Sequence, residues 1–219
     1  MKNRVESVIF KLDHIVFEGV GGRVGPLSLE VARGDDRVVY LGDSRDGMTL
    51  ARIIKGMIAP TEGTVIKKSG DATGWIVRDG IIVLVGEEFF SKTVRDEITF
   101  AAQVGKAKGT VPMVTFLTGI MARSGLDTCL DKDILGLSDG EKRMLVLVSA
   151  LCMLPDCLVF LDPLQGFDEW QLACYLDLLR YGKETLGFAS LQILPEGRGS
   201  ISFGTPSASE ESAVERKRP

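Results

Sequence analysis

The stretch that decides the fold is "LSDGEKRMLVLVSALCMLPDCLVFLDPLQGFD", from Leu137 to Asp168. Within it, Ser138 is followed three residues later by Glu141. This spacing is typical of a capping box, in which each side chain accepts a hydrogen bond from the other residue's amide group, and it predicts that a helix begins here. The amide groups at such a helix start can bind an anion. Taken alone, the pattern fits an ordinary capped helix of the core better than an anion site.

The elements around this helix favour a functional interpretation. The segment "DCLVFLD" is almost wholly apolar, which predicts a strand buried in a parallel sheet, and it ends at Asp162. Earlier in the chain, "RVVYLG" predicts a second buried strand, which leads into "GDSRDGMT" and then into the helical pattern "TLARIIKGMI". An acid at the end of one parallel strand, beside a glycine loop on a neighbouring strand, is an arrangement that holds Mg²⁺ in nucleotide-binding folds.

The remaining segments predict more strands and a helical insertion. "SVIFKLDHIVFE" alternates apolar and polar residues as a half-exposed strand does, and "PLSLEVARGDD" predicts a second strand. Between Glu87 and about Leu135 the pattern becomes helical, while "FASLQIL" and "SISFG" predict the final strands.

Composition restricts the functional classes. The chain has 219 residues with 26 basic and 30 acidic side chains, a net charge of −4, and so gives no electrostatic case for nucleic-acid binding. Its four cysteines form no C-x-x-C pair, which indicates buried apolar residues in a reducing compartment. Its one histidine, His14, excludes a histidine-based metal site within one chain. No run approaches the about 18–20 apolar residues of a membrane span, so we expect a soluble, cytoplasmic protein.

The stretch from Leu137 to Asp168 resembles the signature-to-Walker-B region of the ATP-binding cassette (ABC) ATPases, where it reads LSGGQ, helix, strand, D-E-P and G-L-D. "LGDSRDGMTLARIIKGMIAPTEGTV" is similar to the phosphate loop, helix and turn of that family. "FFSKTVRDEITFA" resembles the segment that opens the family's helical subdomain, and is closest to the cobalt and energy-coupling-factor importer ATPases. The resemblance runs from about Val8 to Pro206.

The resemblance implies an α/β fold of the P-loop NTPase, ABC-ATPase type. Such a fold has a mainly parallel core sheet, an antiparallel β subdomain and an inserted helical subdomain. We therefore expect one ABC ATPase-like domain over residues 1–204, with the helical subdomain at about 88–136. The composition of residues 205–219 is that of a disordered tail.

The resemblance also implies ATP and Mg²⁺ as ligands and assigns residues to them. Thr49 and Asp162 would ligate Mg²⁺, and Asp168 would be the D-loop acid. The signature, which in the family closes on the ATP held by a second cassette, would be Leu137, Ser138, Asp139, Gly140 and Glu141. The phosphate loop would be Gly42, Asp43, Ser44, Arg45, Asp46, Gly47, Met48 and Thr49.

The phosphate loop departs from the family pattern in its charge. It is one residue short, so either Met48 replaces the essential lysine or that lysine has been deleted. Lys55 lies about 12 Å further along the helix, which leaves Arg45 as the only local cation. Asp43 and Asp46 would repel phosphate, and Asp46 is in a position to cap the helix with its own carboxylate.

The other catalytic positions depart as well. Asp162 is followed directly by Pro163, so the glutamate that polarises the attacking water has no counterpart. Gly86 stands for the expected glutamine, although Glu87 follows it. "FASLQIL" holds no histidine where the family has its switch histidine.

The aromatic platform for adenine is also missing from the expected place. Gly19 occupies that position, with Phe17 as a weak alternative. Losing a single charge-stabilising contact commonly lowers an enzyme's rate by about 10²–10³. Because several are absent together, we expect negligible hydrolysis at this chain's own site.

Three functional hypotheses fit these observations. The first is a degenerate ABC subunit that pairs with a second cassette, as a hetero- or homodimer, and docks on a membrane permease at the inner face of the cell membrane. The second is a working transporter ATPase in which Arg45 and Glu87 compensate for the losses. The third is a scaffold or regulator that uses the fold without nucleotide.

Overall fold

The computed structural model describes residues 8–67, 80–84, 89–106, 111–162, 167–197 and 199–201. The chain divides into two compact units. We call the first the sheet unit; it consists of Met1–Val83, Asp156–Pro163 and Phe188–Pro219. We call the second the helical unit; it consists of Leu84–Pro155 and Leu164–Gly187.

An antiparallel sheet in the order β2-β1-β4 forms one layer of the sheet unit. Its strands are β1 (Val8–Gly19), β2 (Gly22–Ala32) and β4 (Glu62–Lys67). The alternation predicted for β1 is visible at Phe10 and Leu12, which are fully buried. The chain turns back between β1 and β2 within two residues.

A parallel sheet in the order β3-β7-β6-β5 forms the other layer. Its strands are β3 (Asp36–Leu41), β5 (Ile81–Leu84), β6 (Cys157–Leu161) and β7 (Ala189–Pro195). The first four residues of β6 are fully buried, as its apolar sequence predicts. Helix α1 (Ser44–Lys55) packs Leu50, Ile53 and Ile54 into the core that both sheets share. The α/β fold with parallel and antiparallel sheets is therefore confirmed.

The strand predicted from "SISFG" is not formed by the two residues of it that the structure describes, Ser200 and Ile201. The backbone of Ile201 is instead hydrogen-bonded to the buried side chain of Gln192 on β7. Its Nε2 donates to the carbonyl of Ile201 at 2.8 Å, and its Oε1 accepts from the amide of Ile201 at 2.7 Å. Residues 202–204, like the tail at 205–219, lie outside the described residues.

The helical unit contains four α-helices in its described part: α2 (Val94–Lys106), α3 (Met113–Ser124), α4 (Asp139–Cys152) and α5 (Glu169–Leu186). Helices α2 and α4 approach very closely at Gly105, where an added Cβ would lie 2.0 Å from the backbone oxygen of Cys152. Buried Glu97 on α2 accepts hydrogen bonds from the amides of Phe90 (2.9 Å) and Ser91 (2.8 Å). None of the helices in the described part of the chain has the length and apolar character that a membrane span requires.

Candidate functional site

Only Gly42 and Asp43 connect β3 to α1, because β3 ends at Leu41 and α1 begins at Ser44. The expectation of a loop from Gly42 to Thr49 is therefore wrong in its shape: six of those eight residues lie in the helix. A phosphate cradle is formed by backbone amides that curve around the anion before the helix starts. A two-residue connection is too short to curve in this way.

Asp43, and not Asp46, caps α1. Its backbone is extended, with φ −136° and ψ 141°, and its Oδ1 accepts a hydrogen bond from the amide of Arg45 at 2.8 Å. Its carbonyl oxygen also accepts from the amides of Asp46 (3.1 Å) and Gly47 (3.4 Å). The amides of Arg45, Asp46 and Gly47 are thus all bonded to Asp43. The prediction that Asp46 caps this helix is wrong, because Asp46 lies inside the first turn.

Arg45, the cation that the sequence predicts for this site, is paired with the same aspartate. Its Nε and Nη2 donate to the two carboxylate oxygens of Asp43, each at 3.1 Å. The side-chain hydrogen bond from Arg45, and then its amide bond, lower the pKa of Asp43, while the hydrogen bond to Asp43 raises the pKa of Arg45. The positive charge of Arg45 is therefore already paired with a carboxylate of the same chain.

Asp46 is 5% exposed and turns toward the tip of the β1–β2 hairpin, where its Oδ1 accepts from the amide of Val20 at 2.8 Å. A Cβ on Gly19 would lie 2.6 Å from that Oδ1, so the position expected to hold an adenine platform has no room for a side chain. The alternative platform, Phe17, is wrong: its side chain is 2% exposed and belongs to the core.

The remaining residues of the predicted loop also make contacts within the sheet unit. A Cβ on Gly47 would lie 3.1 Å from Cγ2 of Ile193 and 3.4 Å from Cδ2 of Leu161, so the first turn of α1 packs on the ends of β7 and β6. The hydroxyl of Thr49 donates to the carbonyl of Arg45 at 3.1 Å. Met48 is half-buried in the helix.

Two further predicted positions lie at the ends of these strands. Asp162, the expected Mg²⁺ ligand, directly follows β6 and has a left-handed backbone with φ 44°, a conformation that non-glycine residues seldom adopt. Its amide donates to the carbonyl of Ile193 at 3.3 Å. Lys55 is buried and donates from Nζ to the carbonyl of Ile81 at 2.8 Å, so it is not aimed at the helix start. Pro163, Gly86 and Glu87 lie outside the described residues.

This arrangement does not fit Mg·ATP. The amides at the start of α1 are bonded to Asp43, the local guanidinium is paired with Asp43, and the Asp46 carboxylate covers the hairpin tip. Because Arg45 and Asp43 neutralise each other, the Asp46 carboxylate leaves this end with a negative charge, which would repel the phosphates of a nucleotide. We therefore assign no chemical step to a nucleotide at this chain's own site.

The signature segment keeps its predicted local structure. Ser138 Oγ accepts from the amide of Glu141 at 3.2 Å, and Glu141 Oε2 accepts from the amide of Ser138 at 2.7 Å, which confirms the capping box at the start of α4. Ser138 and Asp139 are exposed, whereas Leu137 and Gly140 are buried. The surface that this segment offers is thus formed by Ser138 and Asp139.

Gly140 is buried because α5 begins against it. A Cβ on Gly140 would lie 2.1 Å from Oε1 of Gln171. Gln171 forms a second capping box with Asp168: the Asp168 carboxylate accepts from the amide of Gln171 at 2.7 Å, and Gln171 Oε1 accepts from the amide of Asp168 at 3.3 Å. The D-x-x-Q spacing from Asp168 to Gln171 is the sequence signal that predicts this box.

Glu141 is held in its capping position by more than the Ser138 amide. Cys129 Sγ donates to Glu141 Oε1 at 3.1 Å, and Nζ of Lys132 lies 3.7 Å from the same oxygen. These contacts lower the pKa of Glu141, with the hydrogen bond from the backbone of Ser138 as the largest cause.

Glu141→Gln should therefore lower the free energy of unfolding by about 1 kcal/mol at neutral pH, because the Gln amide oxygen can still accept from the Ser138 amide but forms a weaker bond than the charged carboxylate. Because the folded-state pKa lies below the usual 4.5, the carboxylate stabilises the protein above about pH 4.5. This contribution is lost as the pH falls through the lowered value. Urea unfolding of both proteins from pH 7 to pH 3 measures the difference. Glu184→Gln, at an exposed position of α5, is the control; a Glu141→Gln difference that does not change with pH would contradict the argument.

Comparison with known proteins agrees with this fold. No protein-family model matches the chain. An ABC transporter ATP-binding protein of Methanopyrus kandleri is 30% identical over 171 residues, which cover 75% of this chain and 63% of that protein. An energy-coupling factor transporter ATP-binding protein of Thermotoga maritima is 31% identical over 149 residues, covering 65% of this chain and 55% of that protein. The chain therefore spans little more than half the length of these relatives.

Solved structures show the same architecture. CbiO1 of Clostridium perfringens, described as part of an ABC transporter complex, superposes with a TM-score of 0.64 at 18% sequence identity. The match covers 87% of this chain and 79% of CbiO1, and at this identity it shows the fold alone. By its sequence relatives and by its fold, the chain belongs to the family of ABC transporter ATP-binding cassettes.

Proposed function

We propose that this chain is an ABC transporter subunit whose own nucleotide site is degenerate, and that it acts by lending its signature to a partner cassette. In this proposal the two subunits dock on a membrane permease at the cytoplasmic face of the membrane. The partner binds and hydrolyses ATP with Mg²⁺, while this chain contributes Ser138 and Asp139 to the partner's site. Because a second copy of this chain would have the same degenerate site, the partner that hydrolyses ATP in this proposal is a different cassette.

The proposal rests on one observation: hydrogen-bonding groups at the start of α1 are already bonded to a side chain of the same chain. The Asp43 carboxylate accepts from the Arg45 amide and pairs with the Arg45 guanidinium, two groups that would otherwise be available to a phosphate. The second hypothesis, an active ATPase with Arg45 as compensating cation, would require this pair to open. A positive charge that is already neutralised by a neighbouring carboxylate stabilises a phosphate much less.

The structure of the signature segment supports a role for it at the partner's nucleotide site. The capping box keeps the first turn of α4 ordered, and the Cys129 and Lys132 contacts hold Glu141 in place. An ordered helix start with two exposed residues, Ser138 and Asp139, is what a partner's nucleotide would contact in this proposal. Asp139 stands where the family has a glycine, so it adds a negative charge to that surface.

Titration of the purified full chain with ATP, with and without Mg²⁺, tests the degeneracy directly. We expect a Kd weaker than about 1 mM in both conditions, because that is the range left when few specific contacts form. Isothermal calorimetry measures the binding, and phosphate release should equal that of the buffer. The Thermotoga maritima relative serves as the ATP-binding control. Micromolar, Mg²⁺-dependent binding by this chain would contradict the proposal.

A further inference from the structure

The contact between Asp46 and the β1–β2 hairpin joins two segments 26 residues apart. Val20 and Gly21 form the hairpin tip, since Gly19 pairs with Gly22 on either side of them. In a two-residue hairpin, the amide of the first turn residue takes no part in the strand ladder and needs another acceptor. Here that acceptor is the Asp46 carboxylate, at 2.8 Å.

The fit around this carboxylate is close. Asp46 is 5% exposed, and a carboxylate withdrawn from water to this degree requires a hydrogen-bond partner. The backbone of the hairpin rests directly on it, since a Cβ on Gly19 would lie 2.6 Å from Oδ1 of Asp46 and 2.6 Å from Cγ2 of Val24. The Val20 side chain is 49% exposed, so burial of that side chain contributes little to holding the tip.

We propose that Asp46 acts as a latch: its carboxylate holds the hairpin tip, Val20 and Gly21, against the first turn of α1. The contact keeps the end of the sheet unit at which a nucleotide would bind covered when no nucleotide is present. The inference rests on the proposed function, because it identifies the contact that covers the degenerate nucleotide site. The latch adds a negative charge beside the ion pair of Asp43 and Arg45, and it places the Gly19 backbone over the first turn of α1. The Asp46 carboxylate thereby provides a negatively charged group at the start of α1, where the phosphates of a nucleotide would bind.

Hydrogen exchange at the Val20 amide, followed by NMR in the nucleotide-free full chain, tests the latch. In Asp46→Ala we expect this amide to exchange about tenfold to a hundredfold faster than in the wild type, the range for losing a hydrogen bond to a charged group. In Asp46→Asn the rise should be smaller, about threefold to tenfold, because a neutral amide oxygen still accepts but forms a weaker bond.

Gly19→Ala opens the same contact from the opposite side, because its Cβ displaces the carboxylate while Asp46 itself is retained. It should also raise the exchange rate of Val20, which keeps the test decisive if Asp46→Ala does not fold. Glu18→Gln removes a neighbouring exposed carboxylate and is the matched control, with no change expected. Amides of α1 such as those of Ile53 and Ile54 should keep their wild-type exchange rates in Asp46→Asn.

Equal exchange rates of Val20 in the wild type, both Asp46 variants and Gly19→Ala would overturn the latch. An equal rise throughout α1 and β1 would overturn it too, because the effect would then be global unfolding. The proposed function fails independently of this result: tight ATP binding by the wild type would contradict the degeneracy, while the nucleotide-free exchange rates would still report on the Asp46 contact.

Discussion

Ser138→Arg in this chain is expected to lower the ATPase rate of its complex with an active partner cassette by at least about 100-fold, the usual effect of removing one group that stabilises transition-state charge. Ser138 is the exposed N-cap of α4, and its hydroxyl accepts from the amide of Glu141. Arginine cannot accept that bond, and its long side chain would cover the helix start. The measurement is steady-state phosphate release by the assembled complex at saturating Mg·ATP.

Two variants separate blocking of the signature from loss of stability. Ser138→Ala removes the cap, at a cost of about 1 kcal/mol, and also the hydroxyl that would contact the partner's nucleotide, but it leaves the helix start uncovered, so the rate should fall much less than in Ser138→Arg. Thr185→Arg introduces the same side chain at an exposed position of α5 and should leave the rate unchanged. An unchanged rate in Ser138→Arg would favour the scaffold hypothesis, in which the fold works without a nucleotide.

Gly105→Ala is expected to destabilise the protein by about 2 kcal/mol, seen as a fall in Tm of roughly 4–8 °C. An alanine Cβ would lie 2.0 Å from the backbone oxygen of Cys152, and a backbone atom cannot rotate away as a side chain can. Helices α2 and α4 must separate to admit it, and this outweighs the better helix propensity of alanine. Thermal unfolding followed by circular dichroism measures the shift.

Gly136→Ala is the matched control for this substitution. Nothing lies within 4 Å of a Cβ at Gly136, and its φ is outside the left-handed region. The same addition of a methyl group should therefore change Tm little. A Tm of Gly105→Ala equal to that of Gly136→Ala would contradict the close α2–α4 packing.

Elements with a strong local signal are predicted correctly from the sequence. Strand β6 was predicted because "CLVFL" is apolar throughout, which suits a strand covered on both faces. Helix α4 was predicted because Ser138 and Glu141 have the spacing of a capping box. The burial of Phe17 could not be predicted from strand alternation, because Ile15, Val16 and Phe17 are all buried and the β1–β2 register shifts between Ile15 and Phe17.

The start of α1 was the part of the site that could not be predicted. "DSRD" contains two aspartates, and either one is a suitable N-cap by residue type. Which of them caps depends on where β3 ends and how soon the chain can enter a helix, and the family pattern suggested a longer loop. The role of Asp46 depends on a contact with Val20, 26 residues away, and local sequence patterns carry no information about such a contact.

The two-residue connection between β3 and α1 limits what a substitution at this end of the sheet unit can achieve. Met48 is the fifth residue of the helix, so a lysine at that position would project from a helix surface and not from a loop wrapped around a phosphate. A substitution replaces a side chain but adds no backbone. Under the proposed function, a loop that wraps around a phosphate would therefore require an insertion after Gly42, and we expect that Met48→Lys alone would not create one.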